Sequence, residues 1–406
     1  MAKGGFKRRI PLADALDMLA QHGFEIGSEE VSFDCALGRV LAEDVVSEMN
    51  NPPFDRAMMD GYAVRAEDAF GASQASPVLL KVVGVTVAGD TVSAVVGRGE
   101  AVKVMTGAKA PEGADCVVMV EYTQELDGVV EITVSVPPGK HISKVGEDIK
   151  KGDLLLKSGT VLKPQDLGVL AATGNLKVKV RKKPRIVVVS TGTELAAPGE
   201  KLGAGAIYDI NSYTLSSLAS GLGAEIVSRS IITDDESLLE DVLDMKWDLL
   251  LLSGATSVGE KDFVPEVIRR RGEVVFHGVS IRPGSPAGFG VVSGRPVFML
   301  PGFPVAAVTA FELLVTPFIQ RMLGTNVAVP HPTIEGLLTK AVPSQLGRVD
   351  FIRVRIEKHD GNIRVSPVSA KGAGLITTLT KADGFVLLDA KKEGLEAGET
   401  VEVYLF

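Results

Sequence analysis

The sequence predicts a multidomain α/β protein, in which an α/β domain with a parallel sheet is accompanied by β-rich segments and a helical connector. Three observations carry this expectation. From residue 184 to about 319, continuous apolar runs alternate with helical patterns, as in a sheet covered on both faces. Between about 77 and 136, short β-branched runs are separated by Gly. From about residue 328 the helical pattern is lost, and the chain alternates about an Asp360–Gly361 pair that suits a hairpin turn.

The elements follow in order. PLADALDMLAQHG (11–23) spaces its apolar side chains for a helix. NPPFDRAMMDGY (51–62) is a Pro-rich loop with several ionisable side chains. PVLLKVVGVTV, EAVKVMTG, ADCVVMVEY and GVVEITVSV are strands of a small β unit. Pro164 opens a helix that stops at Gly174. PRIVVVSTG is a strand buried on both faces. A helix follows at NSYTLSSLASGLG with Asn211 as its N-cap. After strand EIVSRSII, Thr233 to Glu236 reads as a capping box opening ESLLEDVLDM. Strand DLLLL, loop SGATSVGEKD and helix FVPEVIRRR come next. Arg269, Arg270 and Arg271 complement the dipole at the end of that helix. Strands EVVF and PVFML complete the sheet, and VEVYLF ends the chain as a strand.

The domain boundaries expected are 1–50 with 144–180 for the helical connector, 51–143 for the β insert, 181–327 for the α/β domain and 328–406 for the C-terminal β domain. Residues 297–319 carry a single charge, Glu312, and are long enough to span a membrane. Pro301 and Pro304 divide the stretch into strand and helix, and Thr309, Glu312, Thr316 and Gln320 form one narrow polar stripe. A mostly buried helix of a soluble protein is the expectation.

Composition excludes several classes. A net charge of −8 argues against a chain that coats nucleic acid or anionic lipid. Aromatic residues are only 5%, too few for base-stacking platforms. Two Cys permit no disulfide framework and, with five scattered His, no zinc spacing. No apolar run follows the basic MAKGGFKRRI segment, so a cytoplasmic setting is expected. His22, His141, His277, His331 and His359 read as structural or surface residues, and Cys116 as a small buried one.

Ligands of an open α/β sheet bind beyond the carboxyl ends of its strands. That rule selects STGTEL (190–195), SGATSVGEKD (253–262) and PGFP (301–304), each following an apolar strand. Ser, Thr and Gly offer hydroxyls and free backbone N–H groups for an anion. Glu194, Glu260 and Asp262 offer hard oxygen ligands beside them, so a phosphate or oxyanion held with Mg²⁺ is expected. The P-loop, dinucleotide and nucleophile-elbow patterns are absent.

Eight ordered segments carry a resemblance: PPFDRAMMDGYAV, VMTGAKAPEGADCVVMVE, GEDIKKGD, STGTEL, YDINSYTL, LLSGATSVGEKDF, RPGSPAGFG and LPGFPVAAV. Together they resemble the motif series of the molybdopterin molybdenumtransferases, relatives of the gephyrin C-terminal domain. The resemblance implies four structural parts, the last β-barrel-like, and a homodimer whose site brings the α/β domain of one subunit to the β insert of the other. It implies insertion of molybdate into adenylylated molybdopterin with Mg²⁺, releasing AMP and molybdenum cofactor. Asp60, Asp148, Glu194 and Asp262 match the family's catalytic carboxylates, with Glu194 and Asp262 as metal ligands. Thr106, Gly107, Gly192, Ser253, Gly254, Ser257, Gly259, Arg282, Pro283, Gly284, Ser285, Pro301, Gly302 and Pro304 match its substrate-binding positions. The N-terminal helix would supply Leu12, Leu16 and Leu19 to the dimer.

The chain departs from the family pattern at named positions. Arg56 and Ala57 replace an amide and a hydroxyl, Ala255 and Thr256 interrupt the G-G-V-S-V-G pattern, Ser285 replaces a lysine, and Phe303 replaces an asparagine. Only Lys144 remains of the basic group before GED, while Arg282 keeps a cation beside Ser285. These departures define two competing readings. One is a paralogue that binds a pterin, a nucleotide or a partner without turnover; the other is insertion of tungstate. Neither nucleic acid nor membrane is an expected partner.

Overall fold

The computed structural model describes residues 9–89, 94–254, 263–325, 331–368 and 374–406. They form two compact units. One draws on Met1–Glu29, Gly38–Ala42 and Val180–Phe406, the other on Glu30–Leu37 and Glu43–Lys179.

Helix α1 (Leu12–Gln21) belongs to the first unit. Its Ala15 and Leu19 are buried in the α/β core, and Leu12 and Leu16 pack against the same core. Of the residues expected at a dimer face, Leu19 is thus enclosed by its own chain, while Leu12 and Leu16 keep part of their surface exposed. A side chain already enclosed by its own chain offers no apolar area to a second copy.

The second unit is built on a six-stranded sheet. Its strands are β1 (Gly61–Val64), β2 (Val78–Thr86), β3 (Glu100–Val104), β4 (Cys116–Met119), β5 (Thr123–Leu126) and β6 (Val129–Ile132), in the order β4-β1-β3-β2-β6-β5. Only β2 and β3 pair in parallel. Tyr62, Leu80, Cys116, Val118, Val130 and Ile132 fill one face. Burial pushes the Cys116 thiol up to about 12, with Asp115 adding to the shift, so it stays an inert packing group. Helix α2 (Pro164–Ala172) begins at Pro164 and ends before Gly174, which adopts a φ of +74°.

The α/β sheet of the first unit comprises β7 (Arg185–Thr191), β8 (Glu225–Ile232), β9 (Leu249–Ser253), β10 (Gly272–His277), β12 (Gly288–Val292) and β13 (Arg295–Leu300). Between β10 and β12 lies the two-residue β11 (Ile281–Arg282), which joins a different sheet. The α/β order is β8-β7-β9-β13-β12-β10. The first four strands pair in parallel, as expected, and β12 and β10 add an antiparallel edge. Sequence reasoning passes over β12 because glycines break its apolar run. They serve close packing: a Cβ on Gly290 would lie 2.6 Å from the Glu273 carbonyl oxygen.

Two helix starts differ from expectation. Helix α3 (Asn211–Gly221) has Asn211 as its first residue, not its cap, and Asp209 Oδ1 accepts from the Ser212 N–H. Helix α4 (Glu236–Asp244) is capped by Asp235, whose carboxylate accepts from Ser237 N at 2.8 Å, so Thr233 is not the cap. Helix α5 (Val264–Arg271) ends on its three arginines, and Arg270 and Arg271 also bond Glu236 and Glu240 of α4. After β13 comes a continuous helical stretch: α6 (Pro304–Ala310), a π-helical turn Phe311–Val315 and α7 (Thr316–Met322). Thr309, Thr316 and Gln320 are all buried, and 89% of the apolar window is enclosed. This is a core helix.

The C-terminal strands are β14 (Thr333–Leu338), β15 (Val349–His359), β16 (Asn362–Pro367), β17 (Gly384–Leu388) and β18 (Thr400–Leu405). They close as a five-strand ring, β15-β16-β14-β18-β17 and back to β15. Asp360 and Gly361 make the expected turn, both at positive φ. Strand β11 adds to this ring beside β15. The RPGSP loop thus starts on the C-terminal sheet and ends on the α/β sheet, instead of lying between two α/β strands.

Phe289 stands at the centre of the α/β core, fully buried, with the rings of Phe276, Phe298, Phe318 and His22 around it. Phe289→Ala should destabilise this unit by about 3–5 kcal/mol, because the cavity cannot refill. A urea titration followed by far-UV circular dichroism reads the effect, and Phe289→Leu should cost clearly less.

Candidate functional site

The carboxyl edge of the α/β sheet is level across three strands, with Ser190 of β7 opposite Ser253 of β9, and Ser253 opposite Leu300 of β13. The loops that leave these strands therefore start side by side. A buried amide joins two of them to a helix. Asn211 Nδ2 donates to Ser253 Oγ at 2.8 Å and to the Gly302 carbonyl at 2.7 Å. Ser253 Oγ in turn donates to the Pro301 carbonyl at 3.2 Å. Because Asp209 supplies the capping contact of α3, the Asn211 side chain is free for this bridge. Asp209 is buried and also accepts from Ser190 Oγ at 2.8 Å and from Ser212 Oγ. Hydroxyls on β7 and α3 are so tied to one carboxylate.

Glycine is required where these loops meet. Gly254 adopts a φ of +99°, and a Cβ there would lie 2.3 Å from the Thr191 carbonyl oxygen. A Cβ on Gly302 would lie 3.3 Å from the Gly254 Cα, so the two backbones run in near contact. Gly192 leaves space for the carboxylate of Glu194, which folds back over it. Glu194 is exposed and makes no ion pair among the described residues. Gly192, Glu194, Ser253, Gly254, Pro301, Gly302 and Pro304 thus share one edge of the sheet. Ser257, Gly259 and Asp262, with Ala255 and Thr256, lie outside the described residues. Phe303, at the family's asparagine position, is exposed.

Arg282 and Pro283, joined by a cis peptide bond, begin the RPGSP loop. Gly284 has a φ of +116° and packs against Ala306 of α6, which brings the loop to the first turns of that helix. Ser285 Oγ is enclosed and has no hydrogen-bond partner among the described residues. Serine at the lysine position therefore brings neither a charge nor an outward hydroxyl. The Arg282 side chain is half exposed.

The other unit carries a second cluster. Asp60 Oδ1 accepts from both the N–H and the Oγ1 of Thr106, each at 2.7 Å. These two bonds hold the Asp60 carboxyl below its ordinary range, backbone donor first. Gly107, at a φ of +84°, makes the turn that aims Thr106 at Asp60. Asp148 is exposed and accepts from Asn51 Nδ2 at 3.2 Å. Lys144, the cation left before GED, is held 2.8 Å from Asp55, so its charge is already matched. Arg56, Met58 and Met59 of the same loop are exposed.

Sequence reasoning missed Asn211 and Asp209 as site residues. The signal was present in YDINSYTL, whose polar side chains exceed what a single N-cap needs. Among the described residues no group of three or more His, Cys, Asp or Glu gathers to hold a metal. Available oxygen ligands are the separate carboxylates of Asp60, Asp148 and Glu194.

Three family models match in sequence order. They are the MoeA N-terminal region (domain I and II) over 10–174, the "Probable molybdopterin binding domain" over 187–321, and the MoeA C-terminal region (domain IV) over 335–406. The chain is 35% identical over 394 residues to the molybdopterin molybdenumtransferase of Haemophilus influenzae, covering 96% of each chain. It is 34% identical to the enzyme of that name in Staphylococcus aureus, covering 98% of this chain and 95% of that one. A crystal structure of a molybdopterin biosynthesis moeA protein from Pyrococcus horikoshii superposes with a TM-score of 0.83 at 40% identity, covering 98% of this chain and 99% of that one. With the strand-end loops, the closed C-terminal ring and the Asp60–Thr106 pair in place, these likenesses show that the chain belongs to the molybdopterin molybdenumtransferase family, transferases of molybdenum cofactor biosynthesis.

Proposed function

We propose that the chain inserts molybdate into adenylylated molybdopterin and releases AMP and molybdenum cofactor. The observation that carries this is the knot of Asn211, Ser253 and Gly302, which holds two glycine backbones in near contact on the sheet edge that also bears the exposed Glu194. Such an edge presents the Gly302 backbone and a carboxylate where phosphate or pterin groups would lie, while the Gly192 and Gly254 N–H groups are donated to the Ile232 and Leu300 carbonyls. Arg282 is the cation of the RPGSP loop and takes the oxyanion; as an arginine it stays charged and presents several donors. Asp60, Asp148 and Asp262 complete the set of acidic residues, and Pro301 and Pro304 shape the third loop.

Mg²⁺ fits this donor set. Glu194 is an exposed oxygen ligand without an ion-pair partner among the described residues, and Asp262 is the second ligand in this reading. When bound, Mg²⁺ supplies charge neutralisation at phosphoryl oxygens. Glu194 and Asp262 would hold it, and Thr106 keeps Asp60 ionised and oriented. The reading also takes the protein to be a cytoplasmic homodimer, for which light scattering should give twice the mass of one chain.

The test is AMP release from adenylylated molybdopterin with Mg²⁺, with and without molybdate or tungstate. Release that depends on oxyanion supports insertion, and the lower half-saturating concentration identifies the ion. Tight substrate binding without release would favour a binding protein.

Glu194→Gln keeps the shape of the side chain and removes its charge. The rate of AMP release should fall roughly 10²-fold with little change in substrate affinity, the pattern of a contact made in the transition state. Unchanged turnover would demote Glu194 to a solvated loop residue.

Asn211→Leu keeps the volume and removes both donors. Ser253 and the Gly302 carbonyl then lose their buried partner, costing about 1–3 kcal/mol. We expect a lower melting temperature and weaker binding of adenylylated molybdopterin by calorimetry. Binding at full strength would show that the bridge does not shape the site.

A further inference from the structure

Asp350, on β15, has 1% of its side chain exposed. A buried carboxylate requires partners, and three groups supply them. Ser344 Oγ donates to Oδ2 at 2.7 Å, Arg348 Nε donates to Oδ1 at 3.1 Å, and Arg282 Nη2 lies 3.0 Å from Oδ2. The backbone brings the same residues together. Strand β11 pairs with β15 so that Arg282 stands opposite Asp350, and Val349 N donates to the Ser280 carbonyl at 2.9 Å. The far end of the loop is tied back where Val279 N donates to the Ser285 carbonyl at 2.9 Å.

We infer that Asp350 is a positioning residue for Arg282. From the C-terminal ring it holds one edge of the guanidinium, leaving the exposed edge set to receive the oxyanion. This rests on the reading of Arg282 given above. The charges permit the arrangement: Arg348 matches the carboxylate, so Arg282 keeps one positive charge in excess for a ligand. Asp350 therefore contributes geometry and does not cancel the site. The loop also lacks the family's lysine, and the Ser285 hydroxyl is turned inward. Oxyanion capture in the loop then depends on one long side chain. Ordering such a side chain before the ligand arrives is worth up to about tenfold in affinity.

The experiment measures AMP release by the full chain with adenylylated molybdopterin and Mg²⁺ while molybdate is varied. Asp350→Asn keeps the volume and an acceptor. Half-saturating molybdate should rise about five- to tenfold, while the saturated rate changes less than about twofold. Placed on Arg282→Ala, the same substitution should add nothing, because its effect passes through Arg282. A residue that only stabilised the fold would add its factor in both backgrounds, and that outcome overturns the inference. So does an unchanged or lowered half-saturation in Asp350→Asn when Arg282→Ala alone raises it. Should Asp350→Asn fail to fold, Ser344→Ala loosens the same carboxylate. It should raise half-saturation about two- to threefold, and no change overturns the inference. If Arg282→Ala leaves molybdate dependence untouched, the reading of Arg282 is what fails, and the role of Asp350 falls with it.

Discussion

The Asn211 amide is buried where the sheet ends, and its N–H donors are met within the protein. They take the Ser253 hydroxyl and the Gly302 carbonyl, which belong to loops leaving different strands. A buried donor left without its partner costs more than an ordinary hydrogen bond contributes. The two loops and α3 are therefore coupled: none can shift without leaving a buried group unmatched. The close approach of Gly254 and Gly302 depends on that coupling.

Charge is arranged differently in the two units. In the β unit, donors hold Asp60 in its charged form, and Asp55 matches Lys144. Asp60, Asp148 and Arg56 are left exposed there. In the α/β unit, the RPGSP loop keeps Arg282, and its Ser285 hydroxyl points inward. A site that gathers phosphate and oxyanion needs cations or aligned N–H groups. The N–H groups of Gly192 and Gly254 are already donated to the Ile232 and Leu300 carbonyls, so in the proposed role the charge of one arginine, gripped by the C-terminal ring, carries the anion contact.

Much of this was legible beforehand because burial leaves a pattern in the chain. Each residue of β9 is buried, and so is β7 from Ile186 onward, which is why both read as unbroken apolar runs. The Pro164 start and the Asp360–Gly361 turn were legible because backbone angles restrict those residue types directly. Helix caps were read less well. Asp, Asn, Ser and Thr all suit an N-cap, so a stretch such as YDINS or TDDE holds several candidates within a turn. Asp209 and Asp235 take the first-turn N–H groups, and Asp209 also meets Ser190 of β7. Strand β12 was hidden because its glycines answer to Glu273 and Met299, which lie elsewhere in the chain.

The sequence alone determined the kinds of element, their order, the loops that carry chemistry and, through eight ordered motifs, the family. These properties are local, or they accumulate along the chain, so a linear reading recovers them. The tertiary structure decided which polar groups answer one another. It assigned the Asn211 amide to Ser253 and Gly302, placed Leu19 in the core, moved Arg282 onto the C-terminal ring and set it against Asp350. Asp350 follows Arg282 by dozens of residues, and nothing in either neighbourhood names the other. Their pairing arises because the short strand between two α/β strands adds to the C-terminal ring beside β15, and a buried carboxylate takes the donors it finds there.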